Sequence, residues 1–275
     1  MSQQKLYNRK SIYSDYAKRD YLFMAEKNIL ETLGAFLSGA RMLDMGVGAG
    51  RTTKYFAPAV KSYIGADYAA SMIKECRKKY HEKYDFIDCD ARKMDCFKDD
   101  CFDFVLFSFN GIDSFGFNDR LAAVYEVKRV LSNGGYFFFS SHNLGWEGLE
   151  ELFSMRYIYK KTFSNKKGRR NNFVSKSQAA FKSFFIYLRL KILNRGLSTV
   201  KMIEKARSKG FMGIYDNSLE GKAKIFYVSC NFQVEQLKQA GFEYIRAFSQ
   251  EGKEEISATG LAASPWIHYL CRINK

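Results

Sequence analysis

Three glycines and an acidic residue stand close together in the stretch DMGVGAG, which runs from Asp44 to Gly50. Glycines at 46, 48 and 50 remove Cβ atoms from the turn, so the backbone can bend sharply and approach a ligand closely. A helix that begins after such a turn presents unpaired N–H groups to an anionic group. Dinucleotide-binding turns need G-x-G-x-x-G, and Arg51 stands where the third glycine should be. The spacing therefore favours a nucleotide-like ligand other than a dinucleotide.

Two further acids follow strand-like apolar segments downstream. Asp67 comes 21 residues after Gly46 and ends the segment SYIGAD, and Asp90 follows DFIDC. Because the carboxyl ends of parallel strands share one edge of a sheet, we expect both carboxylates beside the glycine turn. A carboxylate there can accept hydrogen bonds from two ribose hydroxyls. In the alternative interpretation, Asp67 and Asp90 only cap turns and Asp44 only orders the glycine turn.

Five segments resemble the motifs of class I S-adenosylmethionine (SAM)-dependent methyltransferases, namely DMGVGAG, SYIGAD, DCDARKM, FDFVLFSFNGID and VLSNGGYFFFSSHN. The resemblance covers about residues 35 to 143 and, more loosely, 225 to 275. It implies SAM as the methyl donor, S-adenosylhomocysteine as the product, and no metal. It also implies that Asp67 holds the ribose, that Asp90 meets the adenine amino group and that Ala91 lies beside the ring. The residues expected to bind the cofactor are Tyr16, Tyr21, Asp44, Gly46, Gly48, Gly50, Asp67, Tyr68, Met72, Asp90, Ala91, Arg92, Phe107 and Asn110.

The tyrosines in this set belong to the N-terminal segment SIYSDYAKRDY. We expect this segment to form a helix over the cofactor pocket. Tyr16 and Tyr21 are its candidate cofactor contacts, and a packing role is the equal alternative for each.

The acceptor is expected at the same edge of the sheet, at the end of the fifth strand. Methyl transfer is an in-line displacement, so a hydroxyl acceptor needs alignment and a base, and histidine is the usual base near neutral pH. We predict His142 as the base or as an orienting group, with Asp113 and Asn143 as polar neighbours. A purely structural hydrogen bond is the alternative for His142. Tyr215 and Tyr227 are further candidate acceptor contacts, with packing as the alternative.

The segment after the fourth strand narrows the acceptor class. Methyltransferases that act on nucleobase or amide nitrogens often carry Asn/Asp-Pro-Pro-aromatic there, whereas this chain has Ser108-Phe109-Asn110-Gly111. The stretch FYVSCNFQVEQLKQAGFEYIRAFSQEGKEE is similar to methyltransferases of bacterial glycan and secondary-metabolite pathways. Both features favour a small acceptor, such as a sugar, amino sugar or secondary metabolite methylated on oxygen or nitrogen.

The elements that must position these residues alternate in type. Between about residues 40 and 143, short apolar strand-like runs alternate with amphipathic stretches, which is typical of βαβ units. We predict an α/β fold with a Rossmann-like, doubly wound, seven-stranded, mostly parallel sheet whose last strand is antiparallel. The predicted divisions are an N-terminal helical cap (1–34), the SAM-binding core (35–144), a mostly helical lid insertion (145–224) and the C-terminal part of the core sheet (225–275).

The insertion carries most of the basic charge. Residues 145–224 hold 18 Lys and Arg against 6 Asp and Glu, and so contribute +12 to the net charge of +15. The first interpretation is a lid over an anionic or phosphorylated small acceptor, because Lys and Arg steer and bind phosphate groups. RNA binding, or a membrane-surface helix around FKSFFIYLRLKIL, are the alternatives. No RNA-binding module is recognisable, so nucleic acid is not the expected partner.

The composition of the chain indicates its cellular compartment and argues against a metal cofactor. The six cysteines form no C-x-x-C pair and three histidines accompany them, which argues against a zinc site and a disulfide framework. The N-terminal residues lack the apolar core of a signal peptide, and no apolar run reaches about 18 residues. We therefore predict a cytoplasmic SAM-dependent methyltransferase with no metal, no transmembrane segment and at most a weak contact with a membrane surface. A SAM-binding protein without catalysis and an RNA methyltransferase are the alternatives.

Overall fold

The computed structural model describes residues 3–164, 173–194, 199–255, 257 and 259–275, and nine strands of these residues form one sheet. The strands are β1 Arg41–Met45, β2 Ser62–Asp67, β3 Asp85–Asp88, β4 Phe102–Phe107, β5 Leu131–Asn143, β6 Phe211–Ile214, β7 Ile225–Val228, β8 Phe242–Phe248 and β9 Trp266–Ile273. The α-helices are α1 Gln3–Tyr7, α2 Lys10–Ala17, α3 Met24–Thr32, α4 Gly34–Leu37, α5 Thr53–Phe56, α6 Ala70–Tyr80, α7 Phe117–Val130, α8 Met155–Ser164, α9 Phe173–Leu193, α10 Thr199–Lys209 and α11 Cys230–Gln239. Short 3₁₀ turns lie at Ala57–Ala59, Gly111–Ser114 and Glu147–Phe153.

The sheet contains the predicted seven-stranded arrangement. Strands β3, β2, β1, β4 and β5 are parallel neighbours in that order. Strand β9 pairs antiparallel with β5, and β8 pairs antiparallel with β9. The predicted α/β fold, mostly parallel with an antiparallel last strand, is therefore confirmed.

Strands β6 and β7 are an addition that the sequence analysis did not predict. Strand β7 pairs in parallel with the last two residues of β5, His142 and Asn143, and β6 pairs antiparallel with β7. The strand that directly follows the insertion, β7, thus joins the sheet beside His142 and Asn143, and β6 at the end of the insertion pairs with it.

Layers of side chains cover both faces of the sheet, which explains its apolar strands. Along β4, Val105 and Phe107 pack into one core cluster, while Phe104 and Leu106 pack into the other. Successive side chains of a strand point to opposite faces, so a strand buried on both faces needs apolar residues at every position. From Phe104 to Phe107 every residue is apolar, and the chain becomes polar again at Ser108, at the carboxyl edge of the sheet.

The insertion is mainly helical, as predicted, and ends in β6. Ile158 of α8 packs against Ile186 and Leu190 of α9 in a small buried cluster of their own. The stretch predicted as one long helix forms α9 and α10, with residues 195–198 between them outside the described residues. Residues 165–170 of the charged loop KKTFSNKKGRR also lie outside them. No helix of the described ranges is both long and apolar enough to cross a membrane.

The N-terminal residues form helices that lie against the glycine turn. Tyr7 of α1 and Tyr16 of α2 pack around Ala49, Ala69 and Met72. Helices α1 and α2 therefore lie beside the glycine turn, and their role as a cap over the cofactor stays a prediction.

Candidate cofactor and active site

The glycine turn after β1 adopts a backbone that favours glycine at each of its three positions. Gly46, Gly48 and Gly50 have φ values of +66°, +56° and +74°, in the left-handed region. A Cβ atom on Gly46 would lie 2.5 Å from Cε2 of Phe107, so the ring at the end of β4 packs directly on the turn. The glycine turn thus packs against the end of β4 and lies at the carboxyl edge of the sheet.

Asp67 connects the end of β2 to this turn. Its Oδ2 atom accepts a hydrogen bond from the backbone N–H of Gly48 at 3.0 Å, and Oδ1 accepts one from the N–H of Ala69 at 2.9 Å. The side chain is buried, and this burial raises the pKa of Asp67 to about 6 although both N–H groups favour the ionised form. A carboxylate fixed in this way still has lone pairs for two ribose hydroxyls.

A cavity of about 560 Å³ opens beside Asp67. Its apolar walls include Met72, Ala91 and Phe107, so it has the character expected of a slot for an aromatic ring. Of the predicted cofactor residues, those that line this cavity are Tyr16, Gly46, Gly48, Asp67, Tyr68, Met72, Ala91 and Phe107. The cavity is also lined by Tyr7, Phe109 and Phe115, which the sequence motifs do not predict as cofactor contacts.

A second cavity of about 370 Å³ lies on the other side of the glycine turn and holds opposite charges. Asp44 is buried there, with Oδ2 accepting hydrogen bonds from Thr52 Oγ1 at 2.5 Å and Tyr63 OH at 2.8 Å. Its Oδ1 atom is buried without a partner among the described residues. Arg19 lines the same cavity, with its guanidinium 4.3 Å from the ring centroid of Tyr16.

The two cavities together suit SAM. An unpartnered carboxylate oxygen and an arginine complement the ammonium and carboxylate groups of its methionine part, while the larger, mostly apolar cavity suits adenosine. Asp44 would then face the ammonium group, Arg19 the carboxylate and Asp67 the ribose.

Five predicted cofactor residues lie outside the walls of both cavities. Gly50 packs against Tyr80 and Cys76, and Tyr21 is exposed beside Phe23. Arg92 binds both carboxylate oxygens of Asp90, which leaves Asp90 occupied where the family resemblance expects an adenine contact. Asn110 is buried behind the cavity wall. The cofactor roles of these residues therefore remain predictions.

Arg51 has a role that the sequence analysis did not foresee. Its guanidinium donates two hydrogen bonds to buried Glu26 of α3, at 2.7 and 2.6 Å, and one to Ser108 Oγ at 2.7 Å. Burial opposes ionisation of Glu26, but Arg51 outweighs it, and the pKa of Glu26 lies below its ordinary value. This ion pair links the N-terminal cap, the glycine turn and the end of β4.

We expect Glu26→Ala to lower the free energy of unfolding by about 3–5 kcal/mol, because it leaves Arg51 charged, buried and unpaired. Urea denaturation measures this change. Asp20→Ala breaks the exposed Lys54–Asp20 pair and is the matched control, with an expected loss below about 1 kcal/mol. Equal losses in the two variants would show that the buried pair has no special structural role.

His142 lies at the carboxyl edge of β5 and is held by Asp113. Oδ2 of Asp113 lies 2.7 Å from His142 Nδ1 and accepts a hydrogen bond from the backbone N–H of His142 at 2.6 Å. Buried Arg120 and Ser141 bind the other carboxylate oxygen of Asp113. A carboxylate in this position accepts a hydrogen bond from the imidazole tautomer that carries its proton on Nδ1, and in that tautomer Nε2 is an acceptor.

Asn110 separates His142 from the cofactor cavity. Its Nδ2 atom lies 3.5 Å from His142 Nε2, and its Oδ1 atom is buried without a partner among the described residues. Phe109 and Asn110 have φ values of +53° and +56°, an uncommon conformation for two consecutive non-glycine residues. Phe109 and Gly111 line the cavity on either side of Asn110, so this strained turn brings the cavity wall close to the imidazole.

The three predicted acceptor contacts have other partners. Asn143 donates from Nδ2 to the carbonyls of Leu261 and Ser264 and accepts at Oδ1 from Gly145 N–H, so its contact with an acceptor stays a prediction. Tyr215 packs against the cluster of Ile158 and Ile186, away from His142. Tyr227 lies beside His142, with ring centroids 5.0 Å apart, but its hydroxyl is bound to Asp216. Of these three side chains, Tyr227 is the one whose ring contacts His142.

No cluster of three or more His, Cys, Asp or Glu side chains suited to a metal ion occurs in the part of the chain that the structure describes.

We expect the affinity for S-adenosylhomocysteine to fall as the pH is lowered from about 8 to about 5. Burial raises the pKa of Asp44 to about 7 and that of Asp67 to about 6, so both carboxylates take up protons in this range. Ammonium and hydroxyl donors bind the ionised forms, and protonation therefore competes with the ligand. Calorimetry across this pH range measures the effect. Asp44→Asn should flatten the upper part of the profile, and a pH-independent affinity in the wild type would contradict the assignment.

Comparison with known proteins agrees with this geometry. A family model described as "Methyltransferase domain" matches residues 43–139. A probable phthiotriol/phenolphthiotriol dimycocerosates methyltransferase 2 of Mycobacterium ulcerans (strain Agy99) is 37% identical over 111 residues, which are 38% of this chain and 41% of the relative. The chain thus spans about two fifths of the length of the curated relatives that it matches.

Two solved structures resemble the whole fold. The S-adenosylmethionine-dependent methyltransferase of Mesorhizobium loti has a TM-score of 0.56 at 16% identity, covering 90% of this chain and 97% of that one. The 1,6-didemethyltoxoflavin-N1-methyltransferase of Burkholderia thailandensis has a TM-score of 0.51 at 12% identity, covering 91% and 77%. At these identities the similarity establishes the fold.

The family match identifies residues 43–139 as a methyltransferase domain, and the solved structures share its fold. For this domain, the predicted class of SAM-dependent methyltransferases and the predicted cofactor, SAM, are confirmed.

Proposed function

We propose that the protein transfers the methyl group of SAM to an oxygen or nitrogen atom of a small molecule. The observation that carries this proposal is the His142–Asp113 pair, which lies at the carboxyl edge of β5 behind the wall of the cofactor cavity. A protein that only bound SAM would not need an imidazole oriented by a buried carboxylate at this edge.

Bound SAM supplies an electrophilic methyl group, and the side chains of the chain supply alignment and proton transfer. Nε2 of His142 would accept the proton of the acceptor hydroxyl or ammonium group, and Asp113 would stabilise the imidazolium that forms. Asp113 acts through His142 and is therefore a positioning residue.

Several features support a small acceptor. The segment Ser108-Phe109-Asn110-Gly111 lacks the prolines associated with nucleobase nitrogens. The Mycobacterium relative is named as a methyltransferase of phthiotriol and phenolphthiotriol dimycocerosates, which are not nucleic acids. The basic insertion would favour an anionic or phosphorylated acceptor. We place this reaction in the cytoplasm.

An acceptor screen tests the proposal. The full chain is incubated with SAM and with sugars, amino sugars, nucleotide-linked sugars, metabolites of the pathway encoded around its gene, and generic RNA, while release of S-adenosylhomocysteine is measured. We expect turnover with a small molecule and none with RNA. Turnover with RNA alone would favour an RNA methyltransferase. S-adenosylhomocysteine binding without turnover on any acceptor would favour a protein that binds SAM without catalysis.

A further inference from the structure

Helix α9 is apolar on two opposite faces. One face is buried, with Ala179, Ile186 and Leu190 packed inside the insertion. The opposite face carries the apolar stripe, which we define as Phe181, Phe184, Phe185, Leu188 and Ile192. These five side chains are exposed by 68, 52, 51, 42 and 67%. The buried face accounts for the folding of α9, and the apolar stripe has no role within the described molecule.

The apolar stripe is continuous along the helix. Its members stand at positions i, i+3, i+4, i+7 and i+11, which places them on one side of an α-helix. Phe185 contacts both other aromatic residues, with ring centroids 4.7 Å from Phe181 and 5.8 Å from Phe184. Single exposed apolar residues are common on protein surfaces, whereas a contiguous row marks an interaction surface.

The charges around the apolar stripe favour an anionic partner. Helix α9 contains no acidic residue, and Lys182, Arg189 and Lys191 flank the stripe. Lys182 is bound to Glu220, which leaves Arg189 and Lys191 as the flanking charges not paired with an acid in the described contacts. A second copy of this chain would bring another strongly basic insertion against this one, so self-association through the stripe is electrostatically disfavoured.

The helix is suited to lie on a bilayer. Its 21 residues are long enough to cross one, but its four lysines and arginines would be costly in the hydrocarbon core. An exposed apolar stripe flanked by cations is typical of a helix that lies in the plane of the membrane interface. Anionic headgroups would meet Arg189 and Lys191 while the phenylalanines enter the acyl boundary.

We propose that α9 docks the protein on an anionic membrane surface through the apolar stripe. The docked helix would lie next to the N-terminal cap, because Lys182 of α9 lines a cavity of about 600 Å³ together with Leu6 and Ile12 of that cap. The proposal concerns this surface and does not depend on the identity of the acceptor.

The test is co-sedimentation of the full chain with vesicles of phosphatidylcholine alone or mixed with phosphatidylglycerol. We expect binding to the mixed vesicles, weakened by salt, and little binding to phosphatidylcholine alone. Phe181→Ser/Phe185→Ser should weaken partitioning by about tenfold per phenylalanine removed. Tyr125→Ser/Tyr244→Ser is the matched control, because these exposed aromatic residues lie outside the insertion, and it should bind vesicles like the wild type.

Both variants should bind S-adenosylhomocysteine with wild-type affinity, which shows that they are folded and separates this test from that of the proposed methyl transfer. Unchanged vesicle binding in the Phe181/Phe185 variant would overturn the proposal. A second result would also overturn it: the wild type does not bind mixed vesicles but forms dimers in sedimentation velocity experiments, and the Phe181/Phe185 variant does not form them. The apolar stripe would then be an interface between copies of this chain. Binding to RNA but not to mixed vesicles would likewise reject it.

Discussion

Asp67→Ala is expected to weaken the binding of S-adenosylhomocysteine by at least about 100-fold. The substitution removes the acceptor for two ribose hydroxyls, and hydrogen bonds to a charged group contribute more than neutral ones. It also releases the N–H of Gly48, which Asp67 holds at 3.0 Å, so the glycine turn loses the contact that fixes its position over the cavity. Isothermal titration calorimetry measures the loss.

The matched control is Asp88→Ala. Asp88 lies at the end of β3, is paired in register with Asp67 and is exposed, so its removal changes the charge of the same edge without touching the cavity. We expect Asp88→Ala to bind S-adenosylhomocysteine as the wild type does. Asp67→Asn should fall between the two, since an amide oxygen accepts hydrogen bonds without the charge. If Asp67→Ala and the control bind equally well, the ribose is held elsewhere.

The sequence predicted the core sheet because its strands obey a simple physical rule. Strands covered on both faces are apolar at consecutive positions, and β4 is such a strand. Strands β6 and β7 were missed because each has four residues and follows a polar or helical stretch. Their strand conformation depends on pairing with the end of β5, which is a tertiary contact that local sequence does not encode.

Topology alone predicts where some of the candidate site residues lie. The ends of parallel strands meet at one edge, so Asp44 and Asp67 could be placed beside the glycine turn from their positions in the chain. Asn143 also ends a strand, but its amide is taken by the backbone of residues 261 and 264, more than a hundred positions away. A polar side chain at the end of a strand can form hydrogen bonds with several different groups. Which of these bonds it forms depends on loops that are distant in sequence.

The left-handed turn at Phe109 and Asn110 is a second feature that local sequence does not predict. Asn110, which precedes Gly111, could have indicated a positive φ at its own position, but a phenylalanine such as Phe109 gives no such indication. The conformation follows from packing, because Phe109 is enclosed by Tyr16, Phe23 and Trp266. These aromatic residues come from both ends of the chain, so the shape of the acceptor side emerges only in the folded molecule.

His142→Ala is expected to lower kcat by about 10²–10⁴-fold with a hydroxyl acceptor, which is the usual contribution of a positioned base. Affinity for S-adenosylhomocysteine should be nearly unchanged, because His142 lines neither of the two cofactor cavities. Steady-state release of S-adenosylhomocysteine with the acceptor from the screen measures the first quantity, and calorimetry measures the second. This combination distinguishes a base from a residue that only supports the cofactor pocket, since loss of pocket structure would weaken both.

His81→Asn is the control. His81 is exposed and has a left-handed backbone conformation, which asparagine also adopts readily, so the kcat of this variant should match that of the wild type. Asp113→Asn should also lower kcat, because an amide no longer fixes the proton of His142 on Nδ1 or stabilises the imidazolium. Asp113 is buried with Arg120, however, so this variant also leaves a buried guanidinium unpaired, and its unfolding must be measured beside its rate. If His142→Ala keeps the wild-type kcat, the imidazole does not act as the base, and the pair of His142 and Asp113 is a structural link between β5 and the turn after β4.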